Sequence, residues 1–138
     1  MKKLKLAAIG TEHRHIFGQL EGMLDLGCEC IGWWNDGDNK ITQDFKKKYP
    51  SIKRENEKQN LLSNPEIDLV LIADIPSKRA GLAIECMEAG KDVMLDKPGC
   101  ISLKQLKEIE KTVNNTKRIF SIDFSEDLKF RVSKRHMI

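Results

Sequence analysis

The sequence has no long apolar run, no C-x-x-C pair and no strong excess of one charge. Its apolar stretches are about one strand long, whereas a membrane-spanning helix needs roughly 20 apolar residues. The run after Met1-Lys2-Lys3 stops at Gly10, too early for a secretory leader. The four cysteines, Cys28, Cys30, Cys86 and Cys100, are therefore expected to be reduced, in a cytoplasmic protein.

The charge balance and the size narrow the class of protein. The formal charge of +3 arises from 24 basic and 21 acidic residues spread along the chain, too weak a field to indicate nucleic-acid binding. With 40% hydrophobic residues in 138, the chain is typical of one globular domain.

Strand-like and helix-like segments alternate along this domain. Apolar runs stand at 4–9, 28–34, 67–73, 93–95 and 118–124, with a weak candidate at 51–55, and residues at helical spacing lie between them. Ser102 is a predicted N-cap for a helix that presents Leu103, Leu106, Ile109 and Val113 on one side. The alternation predicts an α/β fold, a doubly wound parallel sheet (Rossmann-like) in a single domain.

The first strand ends at Gly10, where a dinucleotide-binding turn would begin. In the G-x-G-x-x-G frame, however, Glu12 and His15 replace the second and third glycines, so the spacing alone is a weak match. His13 and His15 also resemble metal ligands. No carboxylate or cysteine stands at a suitable spacing from them, and the sequence does not predict a metal site.

A ribose-binding acid is expected after the second strand, where the sequence has Asn35 and Asp36. Asp36, with Asp38 nearby, would repel a 2′-phosphate, and no arginine follows directly to hold one. The cofactor is therefore expected to be NAD or NADP, with NAD favoured. The alternative for Asn35 and Asp36 is that they belong to an ordinary polar loop of Asn, Asp and Gly and bind no cofactor.

A short strand ends in Asp96-Lys97-Pro98, because proline cannot donate to a sheet. Ligands of parallel sheets bind at the carboxyl ends of the strands, so Lys97 is placed to meet one. The alternative for Lys97 is a solvated surface charge. Strand-terminal Asp74 together with Lys97-Pro98 also resembles a phospho-receiver domain, but the first strand lacks the acid pair for magnesium, and too little chain separates Asp74 from Lys97.

Two longer stretches carry a family resemblance. Asn64-Pro65-Glu66-Ile67-Asp68-Leu69-Val70-Leu71-Ile72-Ala73 resembles the strand before a nicotinamide loop, and Ala89-Gly90-Lys91-Asp92-Val93-Met94-Leu95-Asp96-Lys97-Pro98 resembles a signature that usually ends Glu-Lys-Pro. Residues 4–124 thus resemble the N-terminal domain of the glucose–fructose oxidoreductase and inositol dehydrogenase family (Gfo/Idh/MocA). The resemblance implies a catalytic Lys97, and cofactor contacts from Gly10, Thr11, Glu12, His13, His15, Asn35, Asp36, Ala73, Pro76, Asp96, Lys97 and Pro98.

The chain departs from that family in four further ways. The first turn is poor in glycine, Asn35 stands where an acid is often found, and Arg79 stands where a histidine is common. The 138 residues are also expected to lack the second, substrate-binding domain of family members. Residues 125–138 are interpreted as a tail or a truncated junction to that domain.

The resemblance implies hydride transfer between a sugar or polyol hydroxyl and NAD(P), and the chain alone is expected to be inactive, because none of its histidines is expected to lie beside Lys97. The alternative is a non-catalytic module that binds a nucleotide or a partner. The expected partners are a dinucleotide and, with a second domain or chain, the substrate. Neither a membrane nor a nucleic acid is expected as a partner. The sequence leaves open whether the chain forms a homo-oligomer.

Overall fold

The structure, a computed structural model, describes residues 2–123. These residues form a five-stranded, wholly parallel sheet with helices on both faces. The strands are β1 (Lys5–Ile9), β2 (Glu29–Trp34), β3 (Leu69–Ile72), β4 (Asp92–Asp96) and β5 (Phe120–Asp123), and the helices are α1 (His15–Asp25), α2 (Lys40–Lys48), α3 (Gln59–Leu62), α4 (Pro76–Glu88) and α5 (Leu103–Thr116). The strand order is β2-β1-β3-β4-β5, and the predicted doubly wound α/β fold is confirmed.

Alternate residues of β1, β3 and β4 supply two separate hydrophobic cores. Along β1, Ala7 and Ile9 join one core, and Leu6 and Ala8 join the other. The first core packs against α3, α4 and α5, and the second packs against α1 and α2. Because successive side chains of a strand point to opposite faces, a sheet covered on both sides needs such continuous apolar runs.

The weak strand expected at 51–55 is reduced to a single bridge between Trp33 and Arg54. The Trp33 N–H donates to the Lys53 carbonyl at 3.0 Å, and the Glu55 N–H donates to the Trp33 carbonyl at 2.8 Å. These contacts hold Arg54 against the outer edge of β2. This position places the Arg54 side chain beside the loop that follows β2.

Helix α5 begins as predicted but buries less than expected. The Ser102 side chain accepts the Gln105 N–H at 3.1 Å, which confirms the N-cap. Ile109 is 3% exposed, whereas Leu103 is 76% and Leu106 41% exposed, so the first half of this apolar side lies at the surface. In the described chain β5 is the last strand of the sheet, so the sheet does not extend beneath this side of α5, which borders an apolar groove of about 520 Å³.

All four cysteines are free thiols, two of them deeply placed. Burial raises the pKa of Cys30 to about 11 and that of Cys86 to about 12, so both stay protonated at neutral pH. None of the helices in the described part of the chain is long and apolar enough to cross a membrane. Phe124 and residues 125–138 lie outside the described residues, and the predicted domain boundary stays a prediction.

Gly10 is the glycine whose replacement we expect to cost most. Its φ is +88°, and a Cβ there would lie 2.8 Å from Asp74 Cβ, whereas Gly27 has a φ of +90° with open space around it. Gly27→Ala should therefore lower the free energy of unfolding by about 1 kcal/mol through backbone strain alone, and Gly10→Ala by about 2 to 4 kcal/mol. Urea unfolding of both variants measures the difference; equal losses would contradict the close approach to Asp74.

Candidate functional site

The predicted site residues meet at one edge of the sheet. Segments 10–15, 35–36, 73–76 and 96–98 follow the carboxyl ends of β1, β2, β3 and β4. Because all five strands are parallel, these ends lie on the same edge. The edge is the place where ligands of open α/β sheets bind.

Backbone hydrogen bonds fasten the first turn between the neighbouring strands. The Gly10 N–H donates to the Trp34 carbonyl at 2.9 Å, and the Ala73 N–H donates to the Gly10 carbonyl at 3.0 Å. The His13 N–H donates to the Ala73 carbonyl at 2.7 Å. Ala73 therefore contributes to the site through its backbone, and its side chain is fully buried.

Side chains hold the turn where the family pattern has further glycines. Asn35 accepts the Thr11 N–H at 2.9 Å and donates to the Thr42 hydroxyl at 3.1 Å, and the Thr11 and Thr42 hydroxyls lie 3.2 Å apart. All three side chains are buried. Thr11 and Asn35 thus shape the turn, and a direct contact of either with a cofactor stays a prediction.

Glu12 brings a negative charge to the same turn. Its Oε1 lies 3.5 Å from Asn35 Nδ2, toward the loop after β2. The N–H groups of Glu12 and Arg14 donate to no residue of the described chain, so two donors stay available at the start of α1. A pyrophosphate bound there would gain these donors and the helix dipole but would lie beside a carboxylate.

The guanidinium of Arg79 is the centre of the neighbouring part of the edge. It is 1% exposed, and its Nε donates to the Asp74 carbonyl at 2.6 Å. Its Nη1 donates to the carbonyls of Asp96, Lys97 and Pro98 at 3.0, 2.6 and 3.2 Å, and its Nη2 lies 3.2 Å from Asp96 Oδ2. Arg79 therefore fixes the turn that carries Lys97.

Both histidines of the first turn reach the carboxylate of Asp96. His15 Nδ1 lies 2.8 Å from Asp96 Oδ1, and His13 Nδ1 lies 3.3 Å from Asp96 Oδ2. Asp96 is buried, whereas the two imidazoles are about two fifths exposed. The fold thus brings His15 to Asp96, the residue that precedes Lys97, across 81 positions of the chain, and the expectation that no histidine partners Lys97 itself stays a prediction.

Burial sets the direction of the pKa shifts in this cluster. It lowers the pKa of His13 against the opposing effect of the Asp96 carboxylate. It also raises the pKa of Asp123, the register partner of Asp96 on β5, and the nearby Asp96 charge adds to that rise. Two acidic groups therefore share a buried position at the carboxyl edge.

Lys97 and Pro98 are exposed directly after β4, and Pro76 is exposed at the first position of α4. Lys97 also borders the apolar groove beside α5. A second cavity of about 470 Å³, lined in part by Asp36, Asp74 and Ser77, opens at the carboxyl ends of β2 and β3. Lys97 is therefore free to contact a ligand.

Arg54 is a residue of this edge that sequence reasoning missed. Its Nη2 donates to the Gly37 carbonyl at 2.7 Å, its Nη1 lies 3.0 Å from Asp38 Oδ1, and its guanidinium lies 4.8 Å from the centre of the Trp33 ring. Asp36 itself is exposed. The sequence directly after Asp36 gives no sign of this arginine, because Arg54 lies in the segment after α2.

The model of an oxidoreductase family with an NAD-binding Rossmann fold (GFO_IDH_MocA) matches residues 23–124. The chain belongs to the Gfo/Idh/MocA family. The uncharacterized oxidoreductase YdgJ of Escherichia coli (strain K12) is 31% identical over 74 residues, which are 54% of this chain and 21% of YdgJ.

Solved structures agree with this fold. A crystal structure of a protein described as an oxidoreductase, from Erwinia carotovora atroseptica SCRI1043, has 35% identity and a TM-score of 0.83 over 88% of this chain and 36% of its own. Myo-inositol 2-dehydrogenase from Lactobacillus plantarum, at 18% identity, has a TM-score of 0.73 over 97% of this chain and 40% of its own. The chain thus spans little more than a third of the length of these proteins.

The phospho-receiver alternative does not fit the site. Asp74 is 2% exposed, its Oδ1 accepts the Ile75 N–H at 2.7 Å, and its Cβ lies against Gly10. A phosphate acceptor needs an accessible carboxylate beside a bound magnesium ion. The burial of Asp74 and the family match both exclude that interpretation.

Loss of Arg79 should destabilise the edge strongly. Arg79→Met would leave the Asp96 carboxylate and several buried carbonyls without their donor, and we expect the free energy of unfolding to fall by about 3 to 5 kcal/mol. The matched control is Arg118→Met, which removes a half-exposed guanidinium 3.9 Å from Asp92 and should cost less than about 1 kcal/mol. Similar losses in urea unfolding would refute the central role of Arg79.

Proposed function

We propose that the chain is the cofactor-binding domain of an NAD(P)-dependent oxidoreductase that acts on a hydroxyl of a sugar or polyol. The observation that carries the proposal is Lys97, exposed at the carboxyl end of β4 beside the cluster of Asp96, His13 and His15. Family membership supports the dinucleotide, and the substrate class follows from the resemblance of the Lys-Pro signature. The four free thiols support action in the cytoplasm.

The residues present fit a dinucleotide. Gly10 adopts the positive φ of a tight turn directly after β1, and the N–H groups of Glu12 and Arg14 are available for a pyrophosphate. The cavity beside Asp36 is large enough for a nucleoside, with Asp36 exposed for a ribose hydroxyl. Because Glu12 opposes the negative phosphates, we expect weak binding.

The bound nicotinamide would supply the hydride chemistry. Lys97 would donate a hydrogen bond to the substrate hydroxyl oxygen and stabilise negative charge that develops there. Arg79 would keep the backbone of Lys97 in place through its bonds to three carbonyls of residues 96–98. Lys97 is thus the proposed catalytic residue, and Arg79 a positioning residue.

NADH should bind more tightly than NADPH. The carboxylate of Asp36 would repel a 2′-phosphate, and Arg54 is already paired with Asp38 and Gly37. Fluorescence titration of the chain and of Asp36→Asn measures the dissociation constants for NADH and NADPH. The ratio of the two constants should fall by about fivefold when the charge is removed. Arg54→Gln tests for a contact with the 2′-phosphate: a loss of affinity confined to NADPH would show that Arg54 binds this phosphate and would contradict the argument that Arg54 is fully paired.

The chain alone should turn over no sugar or polyol. It spans 36% of the Erwinia protein, and the groove beside Lys97 is open, so water would reach the reacting atoms. The assay follows NADH formation over a panel of sugars and polyols, with Lys97→Ala as the control. Turnover that disappears in Lys97→Ala would show that these residues suffice and would contradict the need for a closing domain.

A further inference from the structure

We propose that His13, His15 and Asp96 form a binding site for a divalent transition-metal ion of the Zn²⁺ type. Their ligand atoms, the two Nδ1 atoms and a carboxylate oxygen, all lie within 4.8 Å of one another. The sequence disfavoured a metal because no carboxylate stands at a suitable spacing from the histidines. The fold supplies that carboxylate from the end of β4.

The geometry of the two imidazoles suits a shared ion. Their centroids lie 4.4 Å apart at an interplanar angle of 64°, so both rings turn Nδ1 toward the same carboxylate. His13 Nδ1 lies 3.3 Å from Asp96 Oδ2 and also accepts the His15 N–H at 3.2 Å. A ring nitrogen that accepts a hydrogen bond carries a lone pair; a cation between His13 Nδ1 and the carboxylate would take that lone pair in place of the His15 N–H and would replace a repulsive N···O contact with two bonds.

The balance of buried charge also indicates a cation. Asp96 and its register partner Asp123 are both buried, and within the described residues Asp123 Oδ1 has no hydrogen-bond partner. Arg79 neutralises one carboxylate and is itself occupied by Asp96 and the backbone carbonyls. A buried carboxylate oxygen without a hydrogen-bond partner is costly, so a positive ion held by Asp96, the register partner of Asp123, would stabilise the edge.

The donor set selects the kind of ion. Imidazole nitrogens with one carboxylate suit Zn²⁺, Ni²⁺, Co²⁺ and Fe²⁺, whereas Ca²⁺ and Mg²⁺ prefer oxygen alone. Arg79 holds Asp96 through Oδ2 and so orients Oδ1 toward His15. Both imidazoles are partly exposed, which leaves coordination positions open for water or a ligand beside Lys97.

The proposal does not rest on dinucleotide binding and is tested apart from it. The purified chain, freed of any affinity tag and stripped with a chelator, is titrated with Co²⁺ and Zn²⁺ by visible absorption and calorimetry. We expect one ion per chain and a loss of affinity of at least about tenfold in each of His13→Ala and His15→Ala. His15→Gln is the second variant if His15→Ala unfolds, as judged by circular dichroism.

Two matched controls separate this site from other ligands of the chain. Cys28→Ser/Cys30→Ser removes the two cysteines that lie closest to each other in the sequence. His136→Ala removes the histidine that is not part of the proposed site. Both variants should bind the ion as the unchanged chain does. The proposal is overturned if the unchanged chain binds no ion at millimolar concentration, if folded His13→Ala/His15→Ala binds as well as it does, or if binding disappears in either control.

Discussion

The buried guanidinium of Arg79 is the interaction on which the carboxyl edge of the sheet depends. It joins the end of β3, the first turn of α4 and the turn after β4 through bonds to Asp74, Asp96 and the carbonyls of Lys97 and Pro98. Burial lowers the pKa of the guanidinium, and the charges of Asp96 and Asp74 oppose that shift. A charge this deep is stable only with such partners, so the backbone of Lys97 and the carboxylate of Asp96 are held in place by one side chain.

The glycine-poor first turn shows that hydrogen-bonded side chains can take over a role usually left to glycines. Gly10 alone occupies the positive-φ position, close against Asp74. The rest of the turn is held by Asn35, which bonds the Thr11 N–H and the Thr42 hydroxyl at the start of α2. The turn therefore keeps its place between β1 and α1 through buried polar side chains.

Much of the fold follows from local signals, whereas the site depends on distant pairs. Strand burial and helix capping act within a few residues, so local sequence predicts them. This holds for the apolar run 69–72, for the acid–lysine–proline end of β4 and for the Ser102 cap. The contact of His15 with Asp96 joins residues 81 positions apart, and Arg54 reaches Asp38 across α2. No spacing rule covers such pairs. Periodicity likewise places Leu103 and Leu106 on one side of α5 but does not give the extent of the sheet beneath the helix, and both residues are exposed.

The departures from the family pattern, scattered in the sequence, come together in space. Arg79 stands for a common histidine, Asp96 for the usual glutamate, and His15 for the third glycine of the turn, and the three side chains are joined through the Asp96 carboxylate. Asp96 and Lys97 are consecutive, yet Asp96 is buried and Lys97 exposed. The acid thus organises the cluster while the lysine stays free for a ligand. A change at any one of the three positions would leave the others with an unmatched charge or donor, so we infer that they act as one constellation rather than as separate losses of the family motif.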